Sequence, residues 1–306
     1  MYFYLIGIDH KIAPIDIREA VYWKRAEING FLAEHTKGRA ETFSTCNRFE
    51  VYGTAENAAD VEKTANALKS RFAPLFKRAY VSYGENNVLR HLVRLAAGLE
   101  SEITGELQIY RQIGTWAGRQ DFPEALGNLV HDALLAAHDI RMKNGLNKPE
   151  KNIAVLIYDR ILTELELDRP LNIIVIGTGN IAALFTEYKP HYARLSFAAR
   201  KNILKASGLA EMSGGASFFL KELPGRLVDA DVLISATASP HRILGKNYFL
   251  KIAMLRKKDL YVYDLALPRD IEPAVKDVER IVLRNMDEVT LNADVKNRHA
   301  SESFSR

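Results

Sequence analysis

Cys46 is the only thiol in the 306-residue chain, so it cannot form an internal disulfide, and it lies in the run Thr42-Phe43-Ser44-Thr45-Cys46-Asn47-Arg48-Phe49-Glu50. Most free cysteines are inert core residues. A cation close to sulfur favours the thiolate, the form that attacks a carbonyl, and Arg48 stands two positions away at a predicted strand end. The run therefore reads either as a core thiol beside a solvated arginine or as an activated nucleophile. A second signal is Gly177-Thr178-Gly179-Asn180-Ile181-Ala182, directly after the apolar run Leu171-Asn172-Ile173-Ile174-Val175-Ile176. In a dinucleotide fold such glycines let the backbone approach a pyrophosphate, whose charge meets the open amides of a helix N-terminus. Ala182 takes the place of the usual third glycine.

The end of the next strand speaks to the choice of nucleotide. An acid there bonds the ribose diol of NAD, whereas a cation suits the extra phosphate of NADP. Here Leu195-Ser196-Phe197-Ala198-Ala199 runs into Arg200 and Lys201 with no acid, which predicts NADPH. Ser235-Ala236-Thr237-Ala238-Ser239-Pro240 follows a later strand with small residues and hydroxyls. Thr237 thus falls where the nicotinamide half would lie.

These residues need elements to hold them. Residues 2–8 form an aromatic and β-branched run suited to a buried strand, and Ile17 to His35 carries apolar residues at helical spacing. Strands are predicted at 40–44, leading into Cys46, at 49–54 and at 79–83, with a helix at 58–72. This is an α+β module. From 87 to 168 the pattern is helical, broken at Gly114, at Pro123 and in the loop 144–149. Beyond it, strands predicted at 171–176, 194–198, 231–235, 260–264 and 281–284 alternate with helical or loop segments, the signature of a doubly wound parallel sheet. The fold class is α/β: an N-terminal α+β catalytic domain at 1–150, a Rossmann NADPH-binding domain at 151–290, and a tail at 291–306.

Composition bounds the setting. With 47% hydrophobic and 26% charged residues the chain is an ordinary globular protein able to bury two cores. No apolar run of eighteen or more residues appears, and the start lacks the order of a signal peptide. One thiol and no export signal predict a cytoplasmic protein without a membrane role. A formal charge of +4, from 42 basic and 38 acidic residues, tolerates a polyanionic partner. No pair of histidines or cysteines has metal-ligand spacing, so no metal is predicted.

Four separated stretches carry a family likeness: residues 7–14 with Ile17-Arg18-Glu19, residues 44–52 around the cysteine, His91 to Ser101 continuing through Gly105 to Gln112, and Asp264 to Pro273. Together they resemble the glutamyl-tRNA reductases. The resemblance implies NADPH-dependent reduction of glutamyl-tRNA to glutamate-1-semialdehyde through a cysteine thioester, the first step of five-carbon tetrapyrrole synthesis. By this likeness Cys46 is the nucleophile and His91 a polar group near sulfur that assists proton transfer. Thr45, Arg48, Ser101, Glu106 and Gln108 hold the glutamyl moiety, and the cofactor meets Gly177, Thr178, Gly179, Asn180, Arg200, Lys201 and Thr237. Partners implied are glutamyl-tRNA and an aminomutase that receives the aldehyde, with no DNA.

The likeness also has departures. Asp9 stands where the family usually has asparagine, and the family's more basic run corresponds to residues 137–144, where only Arg141 persists. Family members continue into a helical dimerisation region, of which the tail 291–306 is read as a truncated remnant; the oligomeric state stays open. So do two other readings: a non-catalytic or regulatory paralogue, and an NADP-dependent reductase of a thioester not carried by tRNA.

Overall fold

The computed structural model describes residues 2–146, 152–166 and 168–291. Those up to Leu146 belong to one compact unit and those from Asn152 to Leu291 to a second. The expected tail, except for Leu291, lies outside the described residues.

In the first unit, strands β1 (Tyr2–Asp9), β2 (Ala40–Ser44), β3 (Arg48–Ala55) and β4 (Tyr80–Tyr83) form an antiparallel sheet of order β2-β3-β1-β4. The apolar run of β1 is continuous because both faces of this strand are covered. Tyr4, Ile6 and Ile8 pack with residues of helices α1 (Ile15–His35) and α2 (Ala58–Arg71). Phe3 and Leu5, on the opposite face by the two-residue period, pack with α3 (Glu85–Ala96), α4 (Gln108–Ala117) and α5 (Glu124–Lys143). Asn57 starts α2 by accepting from the amide of Asp60, the ordinary N-cap bond. Pro123 precedes α5 as expected, but Gly114 lies inside α4 rather than breaking it. An added Cβ would meet nothing there within 4 Å, so the helix runs through at the modest entropic cost of one glycine.

The second unit begins with α6 (Ile153–Glu164), capped by Asn152. Its six strands are β5 (Leu171–Ile176), β6 (Ala193–Ala199), β7 (Ala216–Phe219), β8 (Val232–Ser235), β9 (Leu260–Asp264) and β10 (Ile281–Asn285), all parallel, in the order β10-β9-β8-β5-β6-β7. That order reverses direction between β5 and β8, the switch point at which open α/β sheets bind ligands. Helices α7 (Asn180–Glu187) and α8 (Ile203–Ser213) follow β5 and β6. The sequence reading had no strand at β7, a four-residue edge strand too short to show a period.

Candidate active site

Cys46 sits at the tip of the β2–β3 hairpin. Three residues, Thr45, Cys46 and Asn47, connect the strands. The Thr45 amide donates to the Arg48 carbonyl (3.0 Å), and the Thr45 hydroxyl accepts from the Asn47 amide (3.1 Å). This serine/threonine turn fixes the tip. From α1, the buried Arg18 donates its Nε to the Cys46 carbonyl (3.0 Å) and one Nη to the Ala13 carbonyl (3.1 Å).

Behind the tip, β3 places Arg48, Glu50 and Tyr52 on one face at a spacing of two. Glu50 is fully buried and serves as the common acceptor. Its carboxylate takes Arg48 Nη1 (2.9 Å), the Tyr52 hydroxyl (2.7 Å), the Tyr80 hydroxyl (2.6 Å) and His91 Nε2 (2.9 Å). Gly7 makes room for this cluster. In register with both Glu50 and Tyr80, it would put an added Cβ 2.8 Å from the Glu50 Cγ and the Tyr80 oxygen. Burial alone would raise the Glu50 carboxyl, but Arg48 first and then His91 and the tyrosine bond hold it well below the usual carboxylate range.

The loop between α3 and α4 lies against the same tip. Arg48 Nη2 donates to the Glu100 carbonyl, and Glu100 is bridged by Lys11 and Arg94 at 2.6 Å each. Ser101 bonds the Glu106 carboxylate. Arg141, 1% exposed on α5, donates to the carbonyls of Ala97 (2.9 Å), Gly105 (2.9 Å), Glu106 (3.1 Å) and Leu146 (2.9 Å), binding both ends of the loop to one guanidinium. Burial first, then Glu102 and Glu106, push the Cys46 thiol up to about 12, with Arg18 acting in the opposite direction. Glu106 itself is raised by burial, with Ser101, Arg48 and Arg141 pulling it back.

In the second unit, a cleft of about 550 Å³ opens at the switch point, lined by the ends of β5, β6 and β8. Gly177, at φ +122°, would set an added Cβ 2.4 Å from the Ala236 carbonyl oxygen. Only glycine fits. Gly179 caps α7 with no side-chain bond to its first amides, which leaves them for an anion. Arg200 and Lys201 line one end with Lys205, one turn into α8. Beneath the loop 236–240, the buried Asp270 accepts from the Ser235 hydroxyl (2.7 Å) and from the Thr237 amide (3.2 Å) and hydroxyl (2.7 Å). Asp264 accepts the amides of Ala266, Asp270 and Ile271.

The chain was compared with known proteins. A family profile described as the N-terminal domain of glutamyl-tRNA reductase matches residues 6–143, and one described as shikimate/quinate 5-dehydrogenase matches 162–291. The glutamyl-tRNA reductase of Thermus thermophilus is 34% identical over 94% of this chain and 72% of its own length, and that of Alkalilimnicola ehrlichii 31% identical over 94% and 68%. The chain belongs to the glutamyl-tRNA reductase family. The solved glutamyl-tRNA reductase from Methanopyrus kandleri covers 99% of this chain and 75% of its own, at 23% identity and a TM-score of 0.48.

Membership makes the protein an oxidoreductase, and the dehydrogenase profile over the second unit fits a pyridine-nucleotide cofactor. In glutamyl-tRNA reductase terms, the structure gathers Thr45, Cys46, Arg48, Ser101 and Glu106 around the hairpin tip, with His91 attached through Glu50. Gln108 opens α4, half-buried. All seven expected nucleotide residues line the cleft. Two expectations change in detail. Arg48 is bonded to Glu50 and the Glu100 carbonyl, and the cation that favours the Cys46 thiolate is Arg18. The Thr237 hydroxyl donates to Asp270, so this residue meets a cofactor chiefly through its place in the loop.

Sequence reasoning missed Arg18, Glu102, Lys205 and the buried role of Arg141. Arg18 had a signal: it falls three residues from both Ile15 and Val21 on the buried stripe of α1, where a charge needs a reason. Glu102 and Arg141 had none, since nothing in a helical run distinguishes a buried charge from a solvated one. Among the described residues no helix is long and apolar enough to cross a membrane.

Proposed function

We propose that the chain reduces glutamyl-tRNA to glutamate-1-semialdehyde with NADPH through a thioester on Cys46. The observation that carries this is the position of the chain's one thiol, at the tip of a hairpin fixed by Arg18 and Thr45 and faced by the Ser101–Glu106 loop, in a member of this family. The sulfur attacks the glutamyl ester carbonyl, the carbon–oxygen bond to the terminal ribose breaks, and the ribose oxygen leaves with the thiol proton. Thr45, Ser101, Glu106 and Gln108 hold the acyl group against the sulfur, and Arg48 fixes the loop that carries two of them. To His91, held by Glu50 (2.9 Å), we assign proton transfer at the acyl oxygen. A reduced nicotinamide held by the cleft residues would supply hydride to the thioester carbon; with a proton taken up at the acyl oxygen this would give a thiohemiacetal on Cys46 that collapses to the aldehyde and the free thiol.

Arg200 and Lys201 after β6 and Lys205 on α8, with no acid lining the cleft, support NADPH over NADH. The deciding experiment follows NADPH oxidation with glutamyl-tRNA beside the Cys46→Ser variant. Turnover that survives the substitution overturns the thioester. A glutamyl thioester free of tRNA, reduced as fast as glutamyl-tRNA, would favour the reading in which tRNA is not the carrier. An aminomutase that takes up the unstable aldehyde is the expected partner, detectable as a rise in aldehyde yield when that enzyme is added.

A further inference from the structure

The two halves of a pyridine dinucleotide pose different binding problems. The phosphate half is charged, and the open amides of α7 together with Arg200, Lys201 and Lys205 can hold it. A reduced nicotinamide ring carries no charge, so its position depends on the shape of the backbone beside it. On the β8 side of the cleft that backbone is the loop after β8, whose Ala236, Thr237, Ala238, Ser239, Pro240 and Ile243 form the wall.

One buried residue holds this loop at both ends. Asp270, 0% exposed, accepts on Oδ2 from the Ser235 hydroxyl (2.7 Å) and the Thr237 amide (3.2 Å), and on Oδ1 from the Thr237 hydroxyl (2.7 Å). Its main-chain carbonyl accepts the amides of Ile243 (2.7 Å) and Leu244 (3.1 Å), where the loop ends. Thr237 carries the constraint inward, its hydroxyl oxygen accepting the Ser239 amide (3.1 Å), and the Ser239 hydroxyl donates to the His241 carbonyl (2.8 Å). Asp270 is held in turn by Asp264, whose carboxylate accepts its amide (3.3 Å) and that of Ile271 (2.9 Å), and Ile271 bridges Leu244. Three donors shared over two oxygens call for a carboxylate, since the side-chain nitrogen of an asparagine accepts nothing. A buried carboxylate is costly to keep, and these three bonds all go to the end of β8 and the loop.

We infer that Asp270 is a positioning residue for hydride transfer: from beneath, it fixes the loop 236–243 so that the uncharged half of the cofactor is held in one place. The inference rests on the proposed function, because it takes a reduced nicotinamide as the group beside this loop. Hydride transfer needs the reacting carbons about 3–3.5 Å apart, and a misplacement of about 1 Å can cost about a hundredfold in rate. A loosened loop therefore slows transfer, while the phosphate half stays bound through its charges.

Asp270→Asn keeps the shape of the side chain and removes one acceptor. Calorimetry on the full chain with adenosine 2′,5′-bisphosphate, which carries the phosphate half alone, is expected to give the wild-type affinity. NADPH should bind about fivefold more weakly, and kcat with glutamyl-tRNA should fall by about tenfold or more. In the protein without nucleotide, the amides of Thr237, Ser239, Ile243 and Leu244 should exchange faster than in wild type. Ser235→Ala, at a fully buried position, removes one of the three donors and should change NADPH binding and kcat in the same direction by about threefold; it carries the test if Asp270→Asn does not fold. Equal losses of affinity for the bisphosphate and for NADPH would make Asp270 a general stabiliser of the second unit and overturn the inference. Wild-type kcat together with wild-type exchange of the loop amides overturns it as well. A wild-type protein that binds neither ligand refutes the cofactor reading itself, and the inference falls with it.

Discussion

At the residue scale, the first unit depends on one buried carboxylate with four donors. Glu50→Ala would leave the Arg48 charge buried without its partner, a defect that costs about 3–5 kcal/mol. Tyr80→Phe removes one hydroxyl bond and should cost about 1 kcal/mol. Urea unfolding of the two variants tests this order, and equal losses would contradict the hub. The pH dependence has a definite sign. Glu50 is held below the usual carboxylate range, so its stabilisation is full above its unfolded value of about 4.3 and disappears as the pH falls through its lower folded value. In Glu50→Gln this acid-side loss should be missing from stability measured between pH 5 and 2.

At the element scale, strand β1 must carry no side chain at position 7, because Glu50 and Tyr80 from its two neighbours meet over that residue. Gly7→Ala forces them apart and should destabilise the unit by about 1–3 kcal/mol, seen as a lower melting temperature with NADPH binding to the second unit unaltered. Much of this architecture was legible in sequence. The continuous apolar runs of β1 and β5 mark strands covered on both faces, and the cysteine and glycine turns fall where their flanking strands end. The edge strand β7 was not legible, being four residues long, nor was the passage of α4 through Gly114, where the neighbouring turns outweigh one unfavourable residue. Thr45, Cys46 and Arg48, neighbours in chain order, could be read together as one candidate site; the groups that arrive beside them through packing, Arg18, Glu102 and Arg141, needed the tertiary structure. For the end of β6, the expected outcome of Arg200→Ser is a KM for NADPH raised about tenfold, from loss of one charge-assisted contact, with the KM for NADH unchanged. Equal rises for both nucleotides would remove Arg200 from the choice between them.

At the scale of the whole molecule, Glu50 in the first unit and Asp264 in the second are expected to give opposite pH dependences. Burial and the adjoining Asp270 push the Asp264 carboxyl up to about 7, against three amide bonds. A group raised in this way stabilises fully below its unfolded value near 3.9, and the contribution is lost as pH rises through about 7. Acid should therefore loosen the first unit while mild alkali loosens the second. Amide exchange measured at pH 4 and pH 8 is expected to show that reversal, and parallel behaviour of the two units would refute it. The reach of Arg141 past the end of its own helix also bears on where the gene can be cut. Its fourth acceptor is the Leu146 carbonyl, three residues beyond both α5 and the matched N-terminal profile. A fragment trimmed to residue 143 would strip one acceptor from this buried guanidinium, whereas one carried through 146 would keep all four and the α3–α4 loop they anchor.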